Sequence, residues 1–93
     1  MIKRIEISAK AERDLKEIPV YLAKKLNGWR GVIQMTSLEE ARKIPGFHDE
    51  PLQGKRFGQR SVRLNRAYRL IYRVCTDESG KFVLIEEVTK HDY

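Results

Sequence analysis

The second half of the chain constrains the fold most. "QRSVRLN", "AYRLIYRVCT" and "KFVLIEEVT" follow one another with only short polar breaks between them. Each run is rich in β-branched and aromatic residues, and each alternates apolar with polar positions. Three such runs joined by turns predict a three-stranded antiparallel meander. Two breaks set the turns, one around Asn65-Arg66 and one at "DESGK".

The first half reads as helices behind one more strand. "IKRIEIS" is a short strand. Ser8 suits the N-cap of "AKAERDLKEI", which carries Leu15 and Ile18 on one face. Pro19 breaks or restarts the helix, since proline fits a first turn. Leu22, Leu26, Trp29 and Ile33 then recur at helical spacing. Asn27-Gly28 and Gly31 weaken the case for an unbroken helix there. "SLEE", from Ser37 to Glu40, is a capping-box pattern that starts a third short helix, ended by Pro45-Gly46. The sum is an α+β fold: an N-terminal strand, two or three helices, then the meander, with the helices packed on one face of the sheet. Ninety-three residues leave room for one core only, so residues 1–93 form a single domain.

The composition narrows the function. Nineteen Lys and Arg against thirteen Asp and Glu give a net charge of +6, which points to an anionic partner. The charge is concentrated. From Pro51 to Thr76 there are seven basic residues and no acidic one: Lys55, Arg56, Arg60, Arg63, Arg66, Arg69 and Arg73. Strand parity puts Val62 and Leu64 on one face, with Ser61 and Arg63 on the other. In the next strand Leu70, Tyr72 and Val74 share a face, and Arg69, Ile71 and Arg73 take the opposite one. Several arginines on one sheet face suit phosphate binding. The bland reading is a solvated outer face neutralised by acids elsewhere. The single cysteine, Cys75, excludes an internal disulfide, and no stretch is long and apolar enough for a membrane span. Cytoplasmic residence is the expectation.

Few groups here can move protons at neutral pH. His48 and His91 are the only histidines, and Asp49, Glu50, Asp92 and Tyr93 adjoin them. The last strand should end beside Arg69, and the "FHDE" loop leads towards the first strand of the meander. One end of the sheet can therefore collect His48, Glu50, Arg63, Arg69, His91 and Tyr93. Each has a structural alternative. His48 suits a turn, Asp49 and Glu50 can balance Lys55 and Arg56, and His91 and Asp92 can be a frayed tail. No metal-ligand spacing, glycine-rich phosphate loop or nucleophile elbow is present.

"IPGFHDEPLQGKR", "GQRSVRLNRAYRLIY" and the terminal "KHDY" resemble the RelE/ParE superfamily of toxins from bacterial toxin–antitoxin modules, and look closest to its HigB-like branch. The resemblance implies a microbial-ribonuclease-like sheet with helices packed on it. It implies an mRNA interferase that cuts messages in the ribosomal A site, with neither metal nor other cofactor. It implies a cognate antitoxin as partner, usually DNA-binding. By the same resemblance Arg69 faces the scissile phosphate, Glu50 or His48 acts as base, His91 as acid, and Tyr93 stacks on or orients the substrate base. Lys55, Arg56, Arg63, Arg73 and Lys90 would position RNA backbones. Some superfamily members instead inhibit DNA gyrase and lack this set. A non-catalytic RNA-binding module is the remaining alternative.

Overall fold

The computed structural model describes residues 1–90. The elements run β1 (Ile5–Ile7), α1 (Ala9–Leu15), α2 (Val20–Met35), α3 (Leu38–Ala41), β2 (Glu50–Pro51), β3 (Arg60–Arg63), β4 (Tyr68–Asp77) and β5 (Gly80–Lys90). Short 3₁₀ turns at Pro45–Phe47 and Gly54–Arg56 flank β2. The sheet order is β1-β5-β4-β3-β2. The expected meander is present as β3-β4-β5. The N-terminal strand joins it parallel to β5, so the sheet is mixed rather than wholly antiparallel.

Local chemistry sets the boundaries. Ser8 Oγ accepts from Ala11 N–H at 3.0 Å and starts α1. Pro19 is the N-cap of α2. Ser37 Oγ accepts from Glu40 N–H at 3.1 Å and starts α3, but the Glu40 carboxylate turns away to Lys43. Only half of the expected capping box forms. Asn65 Oδ1 accepts from the N–H groups of Ala67 and Tyr68 and closes the β3–β4 turn. Gly80, at φ +111°, completes the tight turn from β4 into β5.

Helix α2 is continuous through Gly28 and Gly31, contrary to the expectation of a weak point. Each glycine costs about 1 kcal/mol in a helix. The fully buried stripe Leu22, Leu26, Trp29 and Ile33 offsets that, at roughly 1.5–3 kcal/mol per large apolar side chain. It packs on Val62, Leu64, Leu70, Tyr72, Val83, Ile85 and Val88 from the sheet. The Trp29 and Tyr72 rings meet at 5.2 Å between centroids, tilted by 47°. Among the described residues no helix is long and apolar enough to cross a membrane.

Candidate functional site: the outer face of the sheet

The face away from α2 is organised by register. Arg63 on β3 pairs with Arg69 on β4, and Arg69 pairs with Thr89 on β5. One row along, Glu50, Ser61, Ile71 and Glu87 line up across four strands. Residues in register share a face, so these two rows make one surface. The parity expected for Ser61, Arg63, Arg69, Ile71 and Arg73 holds. Strand β5 ends where expected: Lys90 pairs with Tyr68, beside Arg69. His91 and Tyr93 lie outside the described residues, and they follow Lys90 directly in the chain.

Arg69 has the least usual surroundings. It is only 7% exposed. Its Nη1 donates to the carbonyls of Asn65 at 2.7 Å and Tyr68 at 3.0 Å. Among the described residues no carboxylate pairs with it. A buried guanidinium without a counter-ion is costly, and two carbonyl dipoles compensate only part of that. Among the described residues only its Nη1 is hydrogen-bonded, and a guanidinium has further donors of the kind that bind a planar or tetrahedral anion.

The basic segment is less naked than its sequence suggests. A β-bulge at Ile71/Tyr72 inserts an extra residue in β5, so Glu86 and Glu87 both serve this region. Arg73 Nε meets Glu86 Oε1 at 2.9 Å, and Arg56 Nη1 meets Glu87 Oε1 at 2.7 Å. Gln59 also donates to Glu86, at 3.0 Å. Arg60 pairs with Asp49. Three of the seven basic residues are thus matched by acids from outside the segment, and Arg56 and Arg73 are not free phosphate cations. Among the described residues Lys55, Arg63, Arg66 and Arg69 have no carboxylate partner.

The loop before β2 is fixed by Asp49. Its carboxylate, 0% exposed, accepts from Arg60 Nε at 2.6 Å and from Tyr72 Oη at 2.7 Å. Arg42 Nε in turn donates to Tyr72 Oη at 3.2 Å. Burial, then the Asp49 charge, pushes the Tyr72 phenol well above its ordinary value. Burial works against the Arg60 charge, but the Asp49 hydrogen bond and charge outweigh it and raise that pKa. Asp49 therefore does not balance Lys55 or Arg56 as its sequence position suggested. It clamps the segment that presents His48 and Glu50 on either side. Both are exposed, and His48 sits in the left-handed region at φ 50°. Glu50 lies two strands from Arg69, about 10 Å across the sheet. Lys90 takes the parity of Val88 and so lies on the helix-side face, away from Arg63 and Arg69. The Asp49 clamp leaves a single trace in the sequence, an acid enclosed between two candidate site residues in a proline-bounded loop.

A mixed five-stranded sheet with helices on one side and an arginine-bearing face on the other is a fold that this chain shares with solved toxins. The match is broad. YafQ of E. coli superposes at a TM-score of 0.72, with 22% identity over 94% of this chain and 91% of that one. An archaeal RelE from a RelE–RelB complex of Pyrococcus horikoshii gives 0.69, with 20% identity over 99% and 98%. In the E. coli DinJ–YafQ toxin–antitoxin complex the similar chain is 25% identical, with a TM-score of 0.68 over 97% and 94%. The family described as "ParE toxin of type II toxin-antitoxin system, parDE" matches residues 5–92, and the chain belongs to that family. No curated protein sequence matches it.

Proposed function

We propose that this type II toxin is an endoribonuclease that cuts messenger RNA on the ribosome. In the step we assign, a 2′-hydroxyl oxygen attacks the adjacent phosphorus and the P–O5′ bond breaks. A 2′,3′-cyclic phosphate and a 5′-hydroxyl result. The 2′-hydroxyl proton passes to a base and a proton from an acid reaches the 5′-oxygen. Negative charge builds on the phosphoryl oxygens, and a preplaced cation stabilises it.

One observation carries the reading: Arg69 is buried, braced by two carbonyls and unmatched by any carboxylate among the described residues. Such a guanidinium gains most when a phosphate arrives. Arg63, in register beside it and exposed, supplies a second positive charge. Glu50 or His48 is the base, held by the Asp49 clamp. His91 is the acid and Tyr93 the stacking or relay group; both lie beyond β5 in the sequence. Lys55 and Arg66 hold flanking phosphates. A cognate antitoxin, of the kind seen bound in the DinJ–YafQ complex, neutralises the toxin in the cell.

A second reading, a gyrase-inhibiting toxin with no nuclease activity, is favoured by the parDE description of the family itself. Primer extension on a defined message in translating extract separates the two. Cuts at fixed positions within codons support the nuclease. Loss of DNA supercoiling without RNA cuts supports the gyrase reading.

A further inference from the structure

The loop between β2 and β3 holds a large aromatic ring in water. Phe57 is 77% exposed, although a phenyl ring has much to gain from burial. The loop is not slack. Phe57 N–H donates to Gly54 O at 3.1 Å, Gln59 N–H to Arg56 O at 2.9 Å, and Leu52 N–H to Gln59 O at 3.0 Å. Gly54 and Gly58, at φ +64° and +96°, make its bends. Arg56 and Gln59 pin it to Glu87 and Glu86 on β5. The ring is held out by a braced scaffold.

Beside it lies a groove of about 280 Å³. Phe57, Leu52 and Val74 form its apolar wall, and Arg42 and Arg60 bring two guanidinium groups to it. Among the described residues no acidic one lines it. Arg42 has no ion-pair partner among the described residues. Pro51 also borders the groove, and its chain neighbour Glu50 belongs to the outer face. Strand β2 is the sheet edge. A strand of nucleic acid leaving Glu50 over that edge would reach the groove within a few nucleotides.

We propose that Phe57 and Arg42 form a second nucleotide subsite that stacks one unpaired RNA base on the phenyl ring and holds its phosphate on the guanidinium. An exposed aromatic ring beside unmatched positive charge is the arrangement that binds single-stranded nucleic acid. The subsite rests on the nuclease reading for its role, that of placing RNA in register with Arg69, but its binding can be measured separately.

The test uses a short single-stranded RNA with 2′-O-methyl sugars, which lacks the attacking hydroxyl and cannot be cut. Affinities are measured by fluorescence anisotropy for the parent, Phe57→Ala, Phe57→Leu, Phe57→Trp and Arg42→Gln, with circular dichroism as a check on folding. The subsite predicts that Ala and Leu each weaken binding about five- to a hundredfold, while Trp keeps it. The Ala and Leu variants keep the parent salt dependence. Arg42→Gln flattens its log–log slope by about 0.7. Placing an abasic nucleotide at the stacked position weakens the parent and leaves Phe57→Ala unaffected. Equal affinity for the parent and Phe57→Leu overturns the proposal, as does a parent with no measurable affinity. So does a Phe57→Ala that loses only its affinity for the cognate antitoxin, which would make the ring a protein contact. Cleavage in extract is scored apart. A parent that binds through Phe57 but never cuts leaves the subsite and removes the nuclease; a parent that cuts while Phe57→Ala binds RNA normally removes the subsite alone.

Discussion

Replacing Asp49 by alanine should destabilise the protein more than any other change in the site. The carboxylate is fully buried and receives two hydrogen bonds, from Arg60 at 2.6 Å and Tyr72 at 2.7 Å. Removing one partner of a buried ion pair costs about 3–5 kcal/mol when the survivor stays dry. The Arg60 side chain is 26% exposed and recovers part of its hydration, so the lower end applies. The Tyr72 hydroxyl loses its acceptor in a buried position, which costs about 1–3 kcal/mol by itself. The two losses overlap in one network and do not add in full, so a total of about 3–5 kcal/mol follows. For a domain of this length that lowers the melting temperature by roughly 12–40 °C. Asp49→Asn keeps the shape and one acceptor and should fall between the alanine variant and the parent. Thermal melts followed by far-ultraviolet circular dichroism measure both. An Asp49→Ala variant that melts within a few degrees of the parent would refute the clamp, and with it the claim that His48 and Glu50 are rigidly presented.

Three further outcomes follow from the charge network. Glu86→Gln releases Arg73 from its 2.9 Å bridge, so RNA binding should tighten and its salt slope steepen by about 0.7; an unchanged slope would mean that Arg73 does not reach RNA. The hydrogen bond from Arg4 lowers the Asp77 pKa, and backbone N–H groups of Glu39 itself and Ile2 lower that of Glu39. Their stabilisation is present above the unfolded carboxylate value of about 4 and is lost as pH falls through the depressed folded values. Urea titrations at about pH 6 and about pH 3 should therefore differ less for Asp77→Asn and Glu39→Gln than for the parent. The raised Tyr72 pKa has the opposite sense: stability is complete below the unfolded value of about 10 and falls as pH rises towards the folded one. Tyr72→Phe should be less stable at neutral pH but should lose less stability between about pH 9 and about pH 11, a comparison that thermal melts at the two values provide.

The elements legible in the sequence are those whose signals are local. Ser8, Pro19 and Ser37 marked helix starts, and the alternation in "YRLIYRV" assigned Arg69, Ile71 and Arg73 to the outer face. Pairings between distant segments were hidden. The acid-free stretch from Pro51 to Thr76 suggested open positive charge. Yet a bulge in β5 delivers Glu86 and Glu87 to it, and a bulge leaves no periodic mark in a run already broken by two glutamates. Strand β2 was invisible because two residues, one a proline, carry no period. Phe57 had a faint signal, an aromatic between two glycines in a basic loop outside any strand pattern. The resemblance to toxins contributed the roles of Glu50, His91 and Tyr93, which no spacing argument supplied.

We propose that the guanidinium of Arg69, braced by two carbonyls and unmatched by any carboxylate among the described residues, acts on a phosphate in the transition state. Single-turnover cleavage of message on programmed ribosomes, parent against Arg69→Ala, tests it most directly. Loss of one such donor should slow cleavage about 10²–10³-fold, with ribosome affinity changed far less. A 5′-thiolate leaving group, which needs little protonation, should rescue His91→Ala and leave Arg69→Ala slow. Cleavage by Arg69→Ala at the parent rate, or rescue of both variants alike, would contradict the account.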